Sequence, residues 1–384
     1  MWRRTDDWRP RQRVMRIGID ALPFAFERTG VARYLSSMLD EMLALDPSIE
    51  FLLYTPVQLS VPLRPGNWHV RLAPGRFFER RPVVWSQMTL PKLLAADRVS
   101  AFWAQPTNLP IRLRRPCFRI LTIHDLLPYV CPDSMRLRSR LRMRLMLQPV
   151  AAAADVIAAV SRSTALQAVR YLGVRRERLL VVHAAASPMF RPVTKTEARA
   201  MLAREYGLAG DFVVCVNTIE PRKGHMDLLQ AWAQIPNPPL LVLVGGVGWR
   251  CKSILSAIHT AASSGRVRYL GRVPDEHLAA IYSGASLSVY PSLYEGFGSP
   301  ILEAMACACP VLCSDSSSLP EVGGGAARYF AAGVSRDLAQ KVIQLLNDSQ
   351  QLRDMSSAGL ERSRLFSYRQ AAEQILGVVP GVRR

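Results

Sequence analysis

Residues 290–303, YPSLYEGFGSPILE, hold the densest set of groups in the chain that could do chemistry. A strand-like run (SLSVY) ends there, and a helix begins near Ser299–Pro300, where proline's missing N–H is no loss. Gly296 and Gly298 let backbone approach a ligand closely. The helix N-terminus adds unpaired N–H groups and the positive end of a dipole, which together suit a phosphate. Glu295 stands just before this helix and Glu303 about one turn inside it. Two carboxylates beside an anion site make sense if the ligand also carries hydroxyls, because carboxylates accept hydrogen bonds from sugar diols. Either acid alone reads as a surface charge; strand, turn, glycines and both acids together favour a site.

A second stretch, NTIEPRKG at 217–224, follows another strand and precedes the helix-like HMDLLQAW. The C-terminal edge of an open α/β sheet is where such sheets bind ligands. Arg222 and Lys223 there can face a diphosphate, or can simply be a solvated pair in a turn. His124, in TIHDLLPY, can bond a substrate hydroxyl or shuttle a proton, although a lone histidine is more often structural. Gly30, in RTGVARY, lets a loop lie against a substrate. No G-x-G-x-x-G pattern surrounds it, which argues against a nicotinamide dehydrogenase.

These stretches need elements to hold them. Short apolar runs alternate with helix-periodic segments, the pattern of parallel sheets built from βαβ units. The runs predict strands at 14–19, 51–54, 99–103, 118–123, 155–160 and 179–183, then at 212–217, 240–244, 267–270, 286–290, 310–313 and 327–330. Helices are expected at 31–44, 162–172, 224–235, 275–283, 299–308 and 336–347, with a last amphipathic one at 367–378. At 384 residues the chain is too long for one core, so two α/β domains are expected. The aperiodic, proline-bearing AAASPMFRPVTK marks the break. The resulting division is 1–14 as an extension, 15–190, 191–366, and 367–384 as a closing helix.

The formal net charge of +19 predicts attraction to something acidic: a nucleotide diphosphate, an anionic membrane or nucleic acid. Basic residues are dispersed and no nucleic-acid motif is present, so no nucleic-acid partner is expected. Residues 136–147, RLRSRLRMRLML, carry five arginines and no acid. The commoner reading is a scaffold helix with leucines in the core and arginines in water. The other is a helix pressed on anionic headgroups. Seven cysteines without disulfide-like spacing fit a reducing compartment. Cys307, Cys309 and Cys313 cluster, and read better as small buried residues than as metal ligands. No apolar run is long enough to span a membrane, and the charged N-terminus lacks a signal peptide's apolar core. A cytoplasmic protein is therefore expected, with peripheral contact at the inner face of the membrane.

YEGFGSPILEAMACACPV resembles the E-x7-E signature of retaining glycosyltransferase family 4, of the GT-B fold. VARYL, IHDLLPYVCPDSM, SRSTAL, EPRKG, LVGGVGW, VRYLGRVPDEHLAAIY and SSSLPEVGG are similar as well. EPRKG with GGVGW looks most like the mannosyltransferases of polysaccharide and O-antigen assembly. The resemblance implies two facing Rossmann-like domains with a cleft between them and a C-terminal helix returning to the first. It implies that Glu295 meets the donor sugar's hydroxyls and Glu303 the nucleotide ribose. Arg222 and Lys223 would neutralise the leaving diphosphate, aided by the amides of Gly296, Phe297, Gly298 and Ser299. His124 would bind the donor sugar, and Gly30 would sit by the diphosphate.

The activity so implied is retaining transfer of a hexose, with GDP-mannose as first choice of donor. The acceptor would be a saccharide on a lipid diphosphate, and neither metal nor cofactor is expected. Three positions depart from the family pattern: Thr218 where arginine is frequent, Ala308 where glycine is usual, and Val247 where lysine often stands. A GT-B phosphorylase or epimerase is the alternative enzyme, and a nucleic-acid binder the alternative outside enzymes.

Overall fold

A computed structural model describes residues 15–25, 30–59, 68–73, 75–113 and 115–382. The extension expected at 1–14 lies outside the described residues. The first sheet is assembled from β1 (Arg16–Asp20), β2 (Glu50–Thr55), β3 (Trp68–Leu72), β4 (Ala101–Ala104), β5 (Phe118–Ile123), β6 (Val156–Ala159) and β7 (Leu179–Val181). Its order is β3-β2-β1-β4-β5-β6-β7. The second contains β8 (Phe212–Val216), β9 (Leu240–Val244), β10 (Val267–Gly271), β11 (Leu287–Tyr290), β12 (Val311–Ser314) and β13 (Arg328–Phe330), in the order β10-β9-β8-β11-β12-β13.

The second sheet pairs in parallel throughout, and its order is that of a doubly wound dinucleotide fold. The strand order reverses between β8 and β11, so their C-terminal ends open a crevice at the switch point. The first sheet reverses in the same way between β1 and β4. Burial on both faces explains why β1 and β12 are buried at every position and why β12 (VLCS) reads as a nearly unbroken apolar run. β3 was not anticipated. Its sequence, WHVRL, is half polar because it is an edge strand, paired with β2 alone and partly exposed.

Local signals set the helix ends. Ser161 caps the Arg162–Leu172 helix by accepting from the Thr164 amide, and Gly173 closes it in the left-handed conformation. Thr194 and Glu197 form a reciprocal capping box at the start of Lys195–Tyr206. The core of the second sheet's domain packs Val213, Cys215, Leu241, Leu243, Leu287, Val289 and Leu312 with Leu228, Trp232, Ile254, Ile258, Leu338 and Val342.

Contacts divide the described chain into two compact units. One takes residues through Thr122, Pro149–Ala158 and those from Ala371 on; the other takes Ile123–Gln148 and Ala159–Gln370. Among the described residues no helix is long and apolar enough to cross a membrane.

Candidate functional site

The second unit concentrates its buried charge at the switch point of its sheet. After β8 the chain turns through Glu220, Pro221, Arg222 and Lys223, then enters the helix His225–Gln234 at Gly224. Gly224 has φ 70°, and a Cβ on it would lie 1.9 Å from the Pro291 carbonyl oxygen, so only glycine lets the two loops meet. The meeting is sealed by backbone: Leu293 N donates to Arg222 O at 2.7 Å.

Glu295 is the hub. Its Oε1 accepts from Lys223 Nζ at 2.5 Å, Ser292 Oγ at 2.6 Å and Tyr290 Oη at 2.9 Å. Its Oε2 accepts from Arg222 Nη1 at 3.1 Å. The same guanidinium donates to Tyr294 O at 2.9 Å, and its Nε faces Glu220 Oε1 at 2.8 Å. Burial by itself would raise the Glu295 pKa, but Lys223, Arg222 and the Ser292 hydroxyl outweigh it and hold the carboxyl down to about 2. Burial also opposes the charge on Arg222, and Glu295 and Glu220 overcome it to raise that pKa. Lys223 is drawn below its ordinary value by burial, with Glu295 opposing. Glu295 is thus a carboxylate throughout the neutral range. The two cations expected to await a diphosphate are each already matched by an acid, which sequence reading did not anticipate.

The turn after Glu295 is held by its own unit. Gly296 O accepts from Ser161 Oγ at 2.6 Å and Thr164 Oγ1 at 3.0 Å. A Cβ on Gly296 would lie 1.6 Å from the His124 carbonyl oxygen, so the close backbone approach here is to His124. Phe297 is buried, with its ring 6.0 Å from His183 and 5.8 Å from Phe366. Gly298, at φ 103°, stands at the N-cap of Ser299–Ala306 without a side-chain cap. Glu303 is buried one turn on, near enough to Tyr282 that its charge, after burial, helps push that phenol up. Burial lowers His124 to about 4, so its ring is neutral at pH 7. Thr218 is exposed and packs its methyl near Gly248. Gly30 begins a helix in the other unit.

Glu295, Arg222, Lys223, Gly296, Phe297, Gly298 and Ser299 therefore form one assembly, with His124 joined to it through its carbonyl. Sequence reading passed over several members. Tyr290 and Ser292 were inside the quoted stretch but carried no charge to draw notice. The serine run SDSSS lies beneath it: Ser317 Oγ accepts from Glu295 N at 2.8 Å, and Ser318 Oγ donates to Glu295 O and Phe297 O at 3.1 and 2.8 Å. Tyr294 is another, accepting from Leu126 N at 2.8 Å and donating to Gln167 Oε1 at 2.7 Å. Asn217, at the end of β8, keeps a buried amide nitrogen with no hydrogen-bond partner among the described residues.

Among the described residues no group of three or more His, Cys, Asp or Glu is placed to hold a metal. Cys307, Cys309 and Cys313 are buried, and burial raises all three thiols, Cys307 to about 12. They behave as small apolar residues.

A family model described as "Glycosyl transferases group 1" matches residues 207–362, which spans the assembly. O-antigen chain mannosyltransferase B of Escherichia coli is 33% identical over 274 residues, covering 70% of this chain and 71% of that protein. Serotype-specific mannosyltransferase WbdA of Escherichia coli is 30% identical over 226 residues, 57% of this chain. The match spans only 28% of that longer protein. Sucrose-phosphate synthase of Thermosynechococcus elongatus superposes with a TM-score of 0.77 over 94% of this chain and 97% of that one. At 21% identity, that likeness speaks for the fold.

Proposed function

The chain belongs to the group 1 glycosyl transferases, with the GT-B type of fold, and on that premise we propose that it moves mannose from GDP-mannose with retention of configuration. The acceptor we propose is a saccharide carried on a lipid diphosphate, in the building of an O-antigen-like polysaccharide at the inner face of the membrane. The glycosyltransferase activity itself follows from the family; donor, acceptor and stereochemistry are the proposal. The choice of mannose is supported by the 33% identity to O-antigen chain mannosyltransferase B.

One observation carries the reading: Arg222, Lys223 and Glu295 meet at the switch point, beside a helix N-terminus with no side-chain cap. Breaking an anomeric C–O bond leaves negative charge on a departing nucleoside diphosphate, and preorganised donors stabilise that charge most strongly away from water. Lys223 and Arg222 supply cations, and the amides of Gly296–Ser299 add dipoles. These groups would serve without a metal or cofactor. Glu295, ionised and fixed by four partners, is an acceptor for sugar hydroxyls, and Glu303 is assigned to the ribose. Neutral His124 serves as a hydrogen-bonding group toward the donor sugar. The leaving phosphate accepts the acceptor's proton as the new bond forms on the same face.

A thermal-shift series with GDP, UDP, ADP, dTDP and their sugar conjugates tests the donor. A ligand at 100 times its Kd adds about 2.7 kcal/mol of stability. GDP-mannose is expected to give the largest rise and Lys223→Ala to abolish it. A larger rise with another base overturns the donor assignment, and no rise with any nucleotide overturns the site.

A further inference from the structure

The Leu137–Ala153 helix is turned the opposite way from the scaffold reading of its sequence. Leu137, Leu141 and Leu145 are 66%, 56% and 66% exposed. Leu147, Val150 and Ala151 are the residues it buries, with Met143 half-buried beside them. A four-residue step keeps the three leucines in one row along the helix. At 100° per residue, exposed Arg138 and Arg142 fall on one flank of that row and Arg144 on the other. No acidic residue lies between Asp133 and Asp155.

The flank is aromatic and hydrogen-bonded. Arg144 Nε donates to Pro128 O at 2.8 Å, and its guanidinium lies 5.2 Å from the Tyr129 ring centre. Tyr129 stacks on Tyr171 at 5.4 Å, and Arg170 covers Tyr171 at 5.3 Å. At the helix's start, partly exposed Trp249 donates its indole N–H to Ser134 O at 2.7 Å, while Arg250 bonds Asp133 O. Arginine, tyrosine and tryptophan bordering an apolar row are the residues that settle at a membrane–water boundary.

We propose that this helix is a membrane-docking surface, laying Leu137, Leu141 and Leu145 among the acyl chains of an anionic bilayer. Arg138, Arg142 and Arg144 then lie at the level of the lipid phosphates. Exposed leucines distinguish this partner from a nucleic acid, whose backbone is met by cations and leaves no use for an apolar row. The surface also connects to the site: Trp249 and Arg250 belong to the loop whose Val247 bridges Ile219, three residues before Arg222. A lipid-borne acceptor would arrive near that edge, and in this respect the inference deepens the acceptor reading and rests on it.

The test is sedimentation of the full chain with vesicles of phosphatidylcholine containing 30% phosphatidylglycerol, beside pure phosphatidylcholine vesicles and a DNA duplex. Binding to the anionic vesicles that weakens with salt is expected. Arg138→Gln/Arg142→Gln should lower the partition coefficient about 30-fold. Leu137→Gln/Leu141→Gln/Leu145→Gln should lower it on the order of 100-fold. Neither should change the nucleotide-induced thermal shift. Undiminished vesicle binding in both variants overturns the proposal, as does tighter binding to the duplex than to the vesicles. Loss of vesicle binding with the donor shift intact in the wild type condemns this surface alone; loss of the donor shift with vesicle binding intact condemns the site and spares the surface.

Discussion

Replacing Glu295 by glutamine tests the charge cluster directly. In the wild type the carboxyl has moved from an ordinary 4.5 to about 2, a displacement worth about 3 kcal/mol of folding stability. The sign follows from the direction: a depressed carboxyl contributes fully above its unfolded value and loses that contribution as pH falls from 4.5 toward 2. Glutamine keeps the shape and some hydrogen bonding but leaves Lys223 buried without its counter-ion, a cost of about 3–5 kcal/mol for a broken buried pair. Near pH 2 the wild-type acid is losing its charge, so the two proteins should converge. Urea unfolding followed by tryptophan fluorescence at pH 7, 5, 4, 3 and 2.5 measures the gap. A gap near 3 kcal/mol at pH 7 that narrows with the pH below 4.5 is the expected result. A gap that stays constant, or none at pH 7, would refute the claim that ionised Glu295 holds these cations in place.

Two further outcomes follow from backbone geometry. Gly296→Ala would push a methyl to within 1.6 Å of the His124 carbonyl oxygen and should cost about 3 kcal/mol or more, because backbone must shift to make room. An unchanged melting temperature would contradict the close approach. Ala308 sits at φ 57°, left-handed for a residue with a Cβ, and Ala308→Gly should raise stability by about 1 kcal/mol in the same denaturation assay. A destabilised variant would show the strain argument to be misplaced.

Much of the fold was legible because parallel strands buried on both faces leave continuous apolar runs. β8 through β13 were each anticipated within a residue or two of their ends. β3 escaped because an edge strand keeps polar residues, His69 and Arg71, among its apolar ones. The Glu295 cluster was legible as separate pieces, EPRKG and YEGFG. The family resemblance set both around one donor, but their direct ion pairing was not legible, since it depends on β8 lying next to β11, which no local pattern states. The leucine helix shows a different limit. Residues 137–150 contain two apolar rows at helical spacing, one of Leu137, Leu141 and Leu145 and one of Met143, Leu147 and Val150. Periodicity finds both and cannot tell which one faces inward. Ala308 was recognised as a departure from glycine, and its positive φ supplies the physical reason glycine suits that place.

Gly224 against the Pro291 carbonyl and Gly296 against the His124 carbonyl have a consequence for how this protein can change over generations. Main chain locks to main chain at both points, so the loops that shape the crevice cannot drift independently by exchanging side chains. Novelty at this edge is channelled to positions whose side chains face outward, such as Thr218 and Val247. Those are two of the places where the family resemblance read from the sequence led one to expect a different residue. A new donor preference would be sought there first, with the backbone frame inherited unchanged.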